Sequence, residues 1–154
     1  MTKQQKRNEI IGAVGVGACF AAQALRRRAD YDFAGKSVVI TGGSRGLGLL
    51  MARELAHQGA QLTLVARSDE ELDRAVDDIR ARQPFAEVLP VTGDVRNRHD
   101  AERAIAQAYE RFGRIDVLIN NAGIIQVGPV GHMTLADYQE GMETHFWGPL
   151  YGIL

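Results

Sequence analysis

The feature that most constrains this chain is a glycine-rich run, Thr41-Gly42-Gly43-Ser44-Arg45-Gly46-Leu47-Gly48, set directly between two different periodicities. Before it stands Ser37-Val-Val-Ile-Thr41, a β-branched run of the kind that forms a strand buried on both faces. After it, Leu47, Leu50, Met51 and Leu55 recur at helical spacing. A strand that turns straight into a helix through glycines lets backbone N–H groups approach an anion, because glycine has no Cβ to block the approach and the helix N-terminus favours negative charge. The bland alternative is a connection that uses glycine only to turn. A second strand ending about 20 residues later favours a dinucleotide loop over that alternative. A P-loop is excluded, since no Lys-Ser or Lys-Thr closes the run.

The same alternation continues down the chain. Leu62-Thr-Leu-Val65, Glu87-Val-Leu-Pro-Val91 and Ile115-Asp-Val-Leu-Ile119 read as further strands. Leu72, Val76 and Ile79, and then Ala101, Ile105, Ala108 and Phe112, mark helices between them. Ser68-Asp-Glu-Glu71 has the form of a capping box, and Asn97 and Thr134 are expected as N-caps. Strand and helix in repeated alternation predict an α/β fold, a doubly wound parallel sheet.

At the second strand end, where a site for NAD would place an acid against the ribose 2′-hydroxyl, the chain has Ala66-Arg67. Arginine suits a 2′-phosphate, and Arg45 in the glycine loop adds a second positive charge, so NADP (NADPH) is expected in preference to NAD. Otherwise Arg67 is an exposed residue at the end of a strand.

Three motifs in order, Thr-Gly-x-x-x-Gly-x-Gly from Thr41, Asp94-Val95 after the third strand and Asn120-Asn121-Ala122-Gly123 after the fourth, resemble the classical short-chain dehydrogenase/reductase family. The resemblance covers about residues 35–154 and implies a Rossmann sheet, here truncated after about four strands as the cofactor-binding half of such an enzyme. It implies that Gly42, Gly46 and Gly48 hold a pyrophosphate, with Thr41, Ser44, Arg45 and Leu47 in the same loop. Asp94 and Val95 would meet the adenine, and Asn120, Ala122 and Gly123 the nicotinamide-ribose side. It further implies an oxidoreductase of small-molecule carbonyl or alcohol substrates that forms a homo-oligomer at full length. Two departures qualify this. His145, in His145-Phe-Trp-Gly148, stands where the family carries an Asn that organises a proton relay, and is either an altered relay member or a helix-packing residue. The catalytic Ser and Tyr-x-x-x-Lys of the family do not occur here, since Tyr31, Tyr109 and Tyr138 lack a Lys four positions on and the lysines are Lys3, Lys6 and Lys36. The chain alone is therefore expected to be inactive. The competing reading is a non-catalytic dinucleotide-binding or interaction module ending at Leu154.

Ahead of this region, residues 1–34 form a segment of different character. Ile10 to Leu25 carries no charge and lies between Lys3, Lys6 and Arg7 on one side and Arg26, Arg27 and Arg28 on the other. As a helix it would be about 24 Å long against a hydrocarbon core of about 30 Å, so it reads as an apolar membrane anchor or membrane-surface helix. A buried helix and a signal peptide remain open, the latter weakened by the three arginines. The expected location is a membrane, with the domain facing the cytoplasm, or the cytoplasm itself. A net charge of −1 does not favour nucleic acid, and a single cysteine with four scattered histidines offers no local metal-ligand spacing.

Overall fold

The computed structural model describes residues 31–154. Four strands, β1 (Ser37–Thr41), β2 (Gln61–Ala66), β3 (Val88–Thr92) and β4 (Val117–Asn120), form one sheet in the order β3-β2-β1-β4. All three pairings are parallel, with Val38 opposite Leu62 and Val117. The connecting helices are α1 (Gly46–His57), α2 (Asp69–Arg82) and α3 (Arg98–Phe112), followed after β4 by α4 (Leu135–Met142) and α5 (Gly148–Ile153). The chain thus steps outward from β1 to β3, then returns to pair β4 with the other side of β1. That reversal makes the carboxyl ends of β1 and β4 the switch point where parallel sheets of this kind bind ligands.

Each face of the sheet has its own core. Val38, Ile40, Leu62 and Leu64 pack with Ala52 and Leu55 of α1 and Leu72, Val76 and Ile79 of α2. Val39, Val65 and Val91 pack with Ala104 and Ala108 of α3. The two-sided burial explains why the inner strands read as continuous apolar runs. Pro90 is tolerated because β3 is an edge strand.

The structure departs from the sequence expectations in three places. The buried stripe of α1 is Gly48, Ala52, Leu55 and Ala56, whereas Leu47 and Leu50 are exposed. Small residues at helical spacing let this helix lie close on the sheet, and its rotation is set by contact at Gly48 rather than by the larger leucines. The fourth strand starts at Val117, two residues later than the apolar run, because the Asp116 carboxylate accepts the Ser37 N–H (3.0 Å) that a longer strand would have paired. The Ser68 box closes on one side only. Its hydroxyl accepts from the Glu71 N–H, while the Glu71 carboxylate turns to the glycine loop instead of back to Ser68. Asn97 caps α3, and Thr134 with Asp137 forms a complete capping box on α4.

The apolar stretch Ile10–Leu25 lies outside the described residues. Among those described, no helix is long and apolar enough to cross a membrane.

Candidate functional site

The loops leaving the four strands meet at one edge of the sheet and enclose a cavity of about 590 Å³, within the range of small-molecule sites. Its floor is the turn from β1 into α1. Gly42 and Gly46 adopt positive φ (67° and 55°), and Gly42 and Gly43 donate to the Val65 carbonyl at 2.7 and 3.3 Å. The first turn of α1 has no side-chain cap and no acidic residue, so its N–H groups face the cavity without an internal anion on their own helix. Space around Gly46 is open, with no atom within 4 Å of where a Cβ would stand.

The turn after β4 closes on this floor through Thr41 and Asn121. The Thr41 Oγ1 accepts from the N–H groups of Asn121 and Ala122, each at 3.1 Å. The Asn121 amide donates to the carbonyls of Thr41 and Gly42, also at 3.1 Å. A Cβ on Gly42 would stand 2.9 Å from the Ala122 Cα, so the two glycine turns approach as closely as backbones can. The short chain dehydrogenase family model matches residues 36–153, a span that contains both turns. This chain belongs to the short-chain dehydrogenase family.

Relatives agree in sequence and in fold. The chain is 41% identical over 122 residues to 11-beta-hydroxysteroid dehydrogenase A of Sesamum indicum, a match covering 78% of this chain and 34% of that one. Among solved structures, levodione reductase superposes with a TM-score of 0.76 at 37% identity, over 79% of this chain and 47% of that one. A blue fluorescent protein from a metagenomic library, solved in complex with NADPH, superposes with a TM-score of 0.72 at 32% identity, over 80% of this chain and 50% of that one. This short-chain dehydrogenase chain thus spans about a third of that curated relative and about half of those solved chains.

Of the residues singled out from the sequence, Gly42, Ser44, Arg45, Gly46, Leu47, Arg67, Asp94, Val95, Ala122 and Gly123 line the cavity. Thr41, Gly48, Asn120 and His145 do not. Thr41 and Gly48 lie behind the loop and support it, Asn120 ends the paired part of β4, and Asn121 rather than its neighbour reaches the floor. His145 sits on a π-helical turn, Glu143–Trp147, between α4 and α5. Its Nε2 lies 2.9 Å from the Ile124 carbonyl oxygen and 3.4 Å from the Ile124 nitrogen, and its Cε1 lies 2.9 Å from where a Gly123 Cβ would stand. It lies against the Gly123–Ile124 backbone of the turn after β4.

Sequence reasoning also missed Glu71 and Arg96, both of which line the cavity. Arg96 grips Asp94 through its Nε (3.0 and 3.1 Å), Nη2 (2.7 Å) and backbone N–H (3.0 Å), and its Nη1 reaches Glu140 of α4 at 2.8 Å. Glu140 in turn accepts from Gln126, so one guanidinium ties the β3 loop to α4 and to the segment after β4. The hydrogen bonds from Arg96 hold the Asp94 carboxyl below the ordinary carboxylate value, against the opposing effect of burial. A folded-state value lowered in this way adds stability that is complete above the ordinary range near pH ~4 and drains as pH falls through the lower folded value. Asp94→Asn is therefore expected to destabilise the protein at pH 7, with the difference from wild type shrinking below about pH 4. Urea unfolding of both proteins from pH 7 to pH 3 measures this, and a difference that stays constant with pH would contradict it.

Proposed function

We propose that this chain forms the dinucleotide-binding part of an NADP(H)-dependent oxidoreductase acting on carbonyl or alcohol substrates. The observation that carries the reading is the convergence of three separate motifs on one cavity whose lining includes Arg45 and Arg67. The residues fit such a group. Open space at Gly46, uncapped N–H groups on the first turn of α1 and two cations suit a pyrophosphate and a 2′-phosphate. Gly42, Gly46 and Leu47 would take the pyrophosphate side, Ser44 would stand with Arg45 at the 2′-phosphate, Asp94 and Val95 would meet the adenine, and Ala122 and Gly123 the nicotinamide ribose. When bound, the cofactor supplies or accepts a hydride. The chain's own residues hold and orient it, and His145 keeps the Gly123–Ile124 backbone in place.

Support from the relatives is of the same kind, since their names include dehydrogenases and a reductase and one neighbour was solved with NADPH. Binding is the direct test of this reading. Calorimetric titration of NADPH and NADH into the purified protein is expected to give one saturable site, with NADPH tighter by about tenfold or more. Absence of binding by either cofactor at about 1 mM, roughly 4 kcal/mol of affinity, would overturn the proposal.

A further inference from the structure

Among the charges that line the cavity, one carboxylate is misplaced for a site that prefers a phosphate. Glu71 occupies the third position of α2, where the capping box would turn its side chain back to Ser68. Instead its Oε2 accepts from the Ser44 hydroxyl at 3.0 Å, and its Oε1 meets the Arg45 Nη1 at 3.5 Å. Ser44 is only 7% exposed, so its hydroxyl donates inward to this carboxylate rather than to bulk solvent. Both partners belong to the glycine loop, and all three line the same cavity as Arg67.

The charge balance there is informative. Asp94 is neutralised by Arg96, which also serves Glu140. Arg45 is shared with Glu71, and Arg67 has no hydrogen bond or ion pair among the described residues. The Arg45 side chain is 77% exposed, so its pairing with Glu71 adds little stability. Its consequence is for a ligand. A phosphate group carrying about −1.5 to −2 must share both Ser44 and Arg45 with an existing anion, and like charges a few ångströms apart repel.

We propose that Glu71 is a specificity-determining residue whose carboxylate competes with an adenosine 2′-phosphate for Ser44 and Arg45, narrowing the preference for NADP(H) that the two arginines create. A free ribose 2′-hydroxyl meets no such penalty and can donate to a carboxylate, which keeps NAD(H) within reach of the same site. This rests on the reading of the cavity as a dinucleotide site.

The test uses the adenosine halves alone, 2′,5′-ADP and 5′-AMP, titrated calorimetrically into wild type, Glu71→Gln and Glu71→Ala. Glutamine keeps an acceptor for Ser44 while removing the charge. Both variants are expected to bind 2′,5′-ADP about tenfold more tightly and 5′-AMP within about twofold of wild type. Thermal midpoints measured without nucleotide separate this from a loosened fold, because a purely structural role for Glu71 lowers the midpoint and weakens both nucleotides together. A ratio of the two affinities that neither variant changes, or a parallel loss of both, overturns the role of Glu71 while leaving the dinucleotide reading intact. Failure of wild type to bind either nucleotide overturns both.

Discussion

Gly48→Ala is expected to lower the thermal midpoint by about 10 °C and to weaken dinucleotide binding at least tenfold. A Cβ at this position would stand 2.1 Å from the Gly42 carbonyl oxygen and 2.7 Å from the Asn121 Nδ2. The first is backbone, and the second is held by two hydrogen bonds to the same loop, so neither moves alone. Relief requires α1 to lift from the turn, which breaks the Asn121 bonds and disturbs the N–H groups that face the cavity. Overpacking of this kind costs about 3 kcal/mol or more where the neighbours cannot shift. Gly141 is the control. It lies within α4 with nothing within 4 Å of its added Cβ, so Gly141→Ala is expected to leave stability unchanged or raise it by up to about 1 kcal/mol. Equal midpoints for Gly48→Ala and wild type in a scanning calorimeter would show that the loop yields more easily than its hydrogen bonds imply.

Much of this architecture was legible in the sequence for identifiable physical reasons. Strands covered on both faces are apolar throughout, so β1 and β2 stand out without alternation. Helix starts are local, and Ser68, Asn97 and Thr134 each act within three residues of themselves. What could not be read depends on long-range register. Asn120 and Asn121 are chemically identical, and only the pairing of Asn120 with Thr41 decides that the next residue is the first to leave the sheet and turn its amide into the loop. The buried face of α1 went to small residues because the distance between helix and sheet, absent from any local pattern, is set at Gly48. Glu71 matched a capping box so well that its sequence neighbours gave no hint of a partner 27 residues away. The bridge from Arg96 to Glu140 spans 44 residues and had no local signal at all.

Arg67→Asp is expected to shift the ratio of NADPH to NADH dissociation constants by between about tenfold and a hundredfold toward NADH. Arg67, just beyond β2, is exposed, lines the cavity and has no ion-pair partner among the described residues, so its charge is available to a ligand. A hydrogen bond to a charged group contributes about 1.5–3 kcal/mol, and every 1.4 kcal/mol is a factor of ten. Aspartate removes that contact, repels a 2′-phosphate and accepts from a free 2′-hydroxyl, so three effects act in one direction. A further effect weakens both cofactors and cancels from the ratio. Arg67 also helps hold the Asp94 carboxyl in its charged form, so a second acid nearby strains the adenine side of the cavity for both cofactors alike. Arg67→Ser separates the contributions, because it loses the attraction without adding repulsion, and its ratio is expected to fall between those of wild type and Arg67→Asp. The measurement is calorimetric titration of both cofactors into the three proteins at one ionic strength, since salt screens an exposed arginine. Wild-type affinities equal for NADPH and NADH, or a ratio that neither substitution moves, would make Arg67 an ordinary surface residue.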